Sequence, residues 1–93
     1  GKIESLQILT TEKAELKKKM RSEFNALIGK EHEELIRVKD GKTKANFYVK
    51  QKGELIQELI MIADMENGGF SVMQLLGRFT LQDVQEITSE INK

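Results

Sequence analysis

Glu34–Val49, ELIRVKDGKTKANFYV, is the stretch on which the fold turns. It supports two readings. In one, Asp40-Gly41 is the two-residue turn of a β-hairpin. Ile36 and Val38 then face Thr43, Ala45 and Phe47 across it. In the other, the stretch is the end of one helix, a basic loop and the start of the next. Three features favour the second. A turn at Asp40-Gly41 sets Lys39 opposite Lys42, an unfavourable like-charge pair. An isolated hairpin is marginal in water. Glu33 and Arg37 stand four apart, as a helical ion pair does. The stretch is therefore read as helix–loop–helix, with a hairpin at 34–49 as the α+β alternative.

Working outward, Leu9, Leu16, Met20, Phe24 and Leu27 fall on one stripe at helical spacing. They predict a long first helix from about Thr11, with Thr10 or Thr11 as its cap and Gly29 as a kink or an end. Leu6 also fits the stripe. On the C-terminal side, Tyr48, Val49, Leu55, Ile56, Leu59, Ile60, Ile62 and Ala63 predict a second long helix. It starts at Phe47 or Lys50 and stops at Asn67-Gly68-Gly69. Ser71 caps a short third helix carrying Val72, Met73, Leu75 and Leu76. Thr80 caps a fourth, with Asp83 as a capping-box partner and Leu81, Val84, Ile87 and Ile91 on its apolar face. The expected fold is all-α: a compact helical bundle of two long antiparallel helices closed by a shorter C-terminal helical pair. The whole chain, 1–93, reads as a single domain, or as a piece of a longer protein.

Composition narrows the function. The 93 residues contain no cysteine, so disulfides, thiolate metal sites and cysteine nucleophiles are excluded. There is no proline to interrupt a helix. No apolar run is long enough to span a membrane, and an intracellular location is the expectation. Net charge is zero but uneven. Residues 1–52 hold 13 Lys and Arg against 8 Asp and Glu, and residues 53–93 hold 2 against 7. Such a dipole suits a charged partner, or a second copy arranged head to tail.

Catalytic signals are poor. His32 is the one histidine, and HEELI imitates HExxH only until Ile36 takes the place of the second ligand. Asp64, Glu66 and Gly69 match calcium-loop positions one, three and six, but Leu75 stands where the bidentate glutamate belongs. Gly68-Gly69 lacks the lysine of a phosphate loop. No enzyme, cofactor, metal or small-molecule substrate is expected.

The remaining reading is a non-enzymatic protein-interaction or assembly module, self-associating or binding another protein. Leu9, Leu16, Met20 and Phe24 offer a helical seam, and Phe47, Met61 and Met65 an adaptable apolar patch. The alternative is a nucleic-acid-binding regulator. In it, Arg37, Lys39, Lys42, Lys44, Lys50 and Lys52 contact phosphates, and Phe47 and Tyr48 stack on bases. The last two helices also have helix-turn-helix proportions, but Asp83, Glu86 and Glu90 would repel DNA.

Overall fold

A computed structural model of the chain describes residues 2–91. It corrects the all-α expectation. The chain forms β1 (Lys2–Thr11), α1 (Ala14–Leu27), β2 (His32–Asp40), β3 (Thr43–Lys52), β4 (Leu55–Asp64), β5 (Phe70–Phe79) and α2 (Leu81–Ile91). The strands make one five-stranded sheet in the order β1-β5-β4-β3-β2, and every neighbouring pair is antiparallel.

The hairpin reading of 34–49 is the observed one, with a different turn. Asp40 pairs with Thr43, so the loop is Gly41-Lys42 rather than Asp40-Gly41. Gly41 has φ 62° and stands first in the loop, as a II′ turn requires. The same device recurs twelve residues later. Lys52 pairs with Leu55 across Gly53-Glu54, with Gly53 at φ 63°. That glycine lies inside the expected second long helix and instead ends β3. Asn67-Gly68-Gly69 is a turn as expected, but it joins β4 to β5 rather than two helices. The short third helix is also absent: residues 71–76 belong to β5, so no helix-turn-helix forms.

Two helices remain. α1 falls inside the expected first helix, but Leu6 and Leu9 precede it in β1. Thr11 does not cap it by the expected contact; its Oγ1 accepts the Lys13 N–H at 3.1 Å, while Lys13 occupies the cap position. α2 begins with the expected capping box. Asp83 N–H donates to Thr80 Oγ1 at 3.1 Å, and Thr80 N–H donates to Asp83 Oδ2 at 3.0 Å. The roles read for the side chains of Glu90 and Ile91 lie outside the described residues.

Each helix covers one face of the sheet. On the back face, Met20 and Phe24 of α1 bury Ile60, Ile62, Phe70 and Val72, with Ile28 and Tyr48 alongside. On the front face, Val84 and Ile87 of α2 pack with Leu59, Leu75, Ile56 and Phe79. β4 is thus covered on both sides, which is why Leu59–Ala63, LIMIA, is apolar without alternation. A strand buried on both faces imitates a wide helical stripe, and periodicity alone cannot separate them.

Candidate interaction surface

Register defines the front face row by row. Ile8, Met73, Met61, Phe47 and Ile36 lie side by side across the five strands. The next row outward is small: Thr10, Ser71, Ala63, Ala45 and Val38. Large side chains beside small ones leave a depression of about 250 Å³, with Met65 and Thr43 at its margin. Among the described residues, none of its lining comes from α2. The helix that follows Phe79 covers the other end of the face.

The depression reaches β1, one of the two sheet edges. The two edges differ sharply. β2 carries Glu33, Glu34, Arg37, Lys39 and Asp40, and a bulge at Leu35 between Glu34 and Ile36. Charge on an edge discourages another strand from pairing there; both edges hold a bulge, that of β1 at Glu4, between Ile3 and Ser5. From Ile3 to Thr11, β1 has Glu4 as its one charged residue. It exposes Ile3, Leu6, Ile8 and Leu9, with Leu6 53% and Ile8 57% exposed. Alternation puts Leu6 and Ile8 on the front face and Leu9 on the back.

The residues named from the sequence are distributed as follows. Leu9 lies on β1 and Leu16 is exposed on α1. Met20 and Phe24 are buried against the sheet, so they hold α1 in place rather than forming an open seam. Phe47, Met61 and Met65 do come together at the depression. The cause is a Phe47–Met61 cross-strand pair and the turn after β4, not a helix face.

The basic residues line the β2–β3 hairpin. Lys39 stands directly opposite Lys44, and Lys42 is in the turn. Arg37 donates twice to Glu34 Oε1, at 2.8 and 3.1 Å. Lys50 pairs with Glu31 at 3.0 Å. Hydrogen bonding and charge from Lys50 hold the Glu31 carboxyl below its ordinary pKa, and Glu31 raises that of Lys50. Lys52 lies at the far end, before Gly53. Phe47 is buried on the front face and Tyr48 is half-buried beside α1. Of the rings expected to stack on bases, Phe47 is therefore inside and Tyr48 is partly covered.

His32 is engaged on both ring nitrogens. Nδ1 accepts the Gly29 N–H at 2.9 Å, which places the proton of the neutral ring on Nε2. Nε2 then donates to Glu58 Oε1 at 2.5 Å, and Gln74 donates to Glu58 Oε2 at 2.7 Å. The trio ties the α1–β2 connection to β4 and β5. Asp64, the first residue of the calcium-loop imitation, is held by Arg21 at 2.6 Å, and Leu75 is in the core. Among the described residues no helix is long and apolar enough to cross a membrane.

A family model described as a domain of unknown function, DUF4252, matches residues 1–87. The chain belongs to that family. No curated protein and no solved structure matches it. In this DUF4252 chain the residues that sequence reasoning missed are Ile3 and Ile8 of β1, and the small row Ala45, Ala63 and Ser71 under the depression; Leu6 was read as part of a helical seam and lies instead on the edge strand. The signal that finds them is spacing. Gly41, Gly53 and Gly68 punctuate a meander of strands, and within it small and large residues alternate by row rather than by helical turn.

Proposed function

We propose that this domain is a non-enzymatic assembly module that self-associates by pairing β1 with β1 of a second copy. The observation that carries this is the contrast in charge between the two sheet edges: each holds one bulge, but β2 carries five charged residues, whereas β1 from Ile3 to Thr11 carries Glu4 alone and exposes Ile3, Leu6, Ile8 and Leu9.

Symmetry makes the pairing specific. A two-fold axis perpendicular to the sheet joins the strands antiparallel and keeps both front faces on one side. With Gln7 on that axis, Leu6 lies opposite Ile8 of the second copy and Ser5 opposite Leu9; the bulge at Glu4 ends the regular register. Like charges are not brought together. The same operation on β2 would cluster its five charged residues. Pairing satisfies the outward N–H and C=O groups of both edges. Covering each half-exposed Leu or Ile contributes about 1 kcal/mol.

The test is the mass of the protein by light scattering and sedimentation equilibrium at tens of micromolar and above. The native chain is expected to dimerise. Leu6→Lys and Ile8→Lys are expected to be folded monomers by circular dichroism, because both positions are solvent-facing in the single chain. A native monomer, or a dimer that survives both substitutions, would refute the proposal.

A further inference from the structure

On the back face, beyond α1, a cleft of about 350 Å³ lies between that helix and the tip of the β2–β3 hairpin. Arg21 contributes from α1, and Arg37, Lys39 and Lys44 from the hairpin; Asp64 is the acid in its lining. We propose that this cleft binds a compact phosphate-bearing ligand, through a phosphoryl group held between the hairpin lysines and Arg21. The inference is independent of the pairing of β1.

The charge arrangement argues for it. Lys39 and Lys44 are direct cross-strand partners, a placement that destabilises a sheet. Neither has an ion-pair partner among the described residues. Asp64 lies across β4 from Lys44, but its carboxylate is taken by Arg21. The two arginines of the cleft are paired, Arg37 with Glu34 and Arg21 with Asp64, which leaves the two lysines without acids among the described residues. Here four cations converge on one cleft that has a single acid. A phosphoryl dianion between the lysines would turn their repulsion into two charge-assisted hydrogen bonds.

The setting is prepared for such a ligand. The Arg21 guanidinium lies 4.6 Å from the centre of the Phe70 ring, and Asp64 holds its other side. A guanidinium fixed in this way loses little freedom on binding. Ile62 forms an apolar part of the wall, which strengthens charge interactions nearby. The Asn46 side chain lines the cleft and makes no hydrogen bond among the described residues, so its amide can donate to an oxyanion.

A nucleic-acid strand is disfavoured, because Phe47 and Tyr48 do not face the cleft as stacking surfaces. Soluble phosphate esters and lipid phosphate headgroups share the chemistry and are separated by experiment.

The test is titration of the full chain with sodium pyrophosphate, followed by amide and arginine side-chain NMR shifts. Parallel arms use phosphatidic acid vesicles and a single-stranded oligonucleotide. The expected result is saturable shifts at Arg21 and residues 37–46. Binding should weaken about a hundredfold in the Lys39→Ala/Lys44→Ala double variant, equivalent to the loss of two charged hydrogen bonds. A Lys18→Ala/Lys19→Ala control on the outer face of α1 should leave it unchanged. Saturation by free pyrophosphate identifies a soluble source, and binding to vesicles alone identifies a headgroup; both support the site. Shifts that never saturate, equal losses in the control, or an oligonucleotide that outcompetes pyrophosphate would overturn it.

Discussion

At the scale of single residues, the structure rests on a few side chains whose partners define their state. His32 uses Nδ1 to accept and Nε2 to donate, and its side chain is only 7% exposed. Removing it leaves Glu58 with one protein donor, Gln74, at a site only 12% exposed. His32→Ala is expected to cost about 1–3 kcal/mol in urea unfolding, because a largely buried carboxyl oxygen loses its hydrogen-bond donor. Gly53 has open space around its missing Cβ, so only its φ of 63° resists substitution. Gly53→Ala should therefore cost about 1–2 kcal/mol, the strain of a left-handed alanine. Asp83 adds a pH dependence. The Thr80 N–H and hydroxyl contacts lower its pKa below the ordinary carboxylate value. A lowered folded-state pKa gives stabilisation that is complete above the unfolded pKa and lost as pH falls through the folded one. Amide protection in the first turn of α2 should accordingly decline in acid. Asp83→Asn should already show weaker protection at neutral pH and a flatter response.

At the scale of elements, α1 and α2 are amphipathic helices pinned by few contacts. Met20 and Phe24 are the buried residues of α1. Phe24→Ala should destabilise the fold by about 3–5 kcal/mol, as expected for emptying a core aromatic. Leu16→Ala, at an exposed site, should change stability by less than about 0.5 kcal/mol. The same elements explain what the sequence could and could not disclose. Both helices were legible because their signals are local: a stripe from Leu16 to Leu27, and a Thr80–Asp83 box. The strands were not, because their signals are relational. Leu6 and Leu9 are three apart, as on a helix, yet point to opposite faces of β1. β4 is apolar on both faces because two helices cover it, which its own residues do not reveal. The decisive cue was the pair of glycines, 41 and 53, each able to begin a two-residue loop. A turn at Asp40-Gly41, one residue before the actual loop, sets Lys39 opposite Lys42 and disfavours the hairpin. The actual pairing of Lys39 with Lys44 keeps the repulsion, and the sheet tolerates it.

At the scale of the whole molecule, the sheet is asymmetric in two directions. Its front face is half covered by α2, and its edges differ in charge. Phe47, Met61 and Met65 were found in the sequence because methionine and phenylalanine are conspicuous anywhere. Ile3, Leu6 and Ile8 matter only because β1 is an edge, and edge position is a property of topology. The account stands on β1 being paired in solution. Hydrogen exchange read amide by amide over residues 5–11 tests this most directly. On a bare antiparallel edge, alternate N–H groups point outward and exchange quickly, while those bonded to β5 are protected. Pairing with a second copy protects both sets. At concentrations where the protein self-associates, contiguous protection across Ser5–Thr11 is expected, reverting to alternation in Ile8→Lys. Alternating protection in the native chain at every concentration would contradict it.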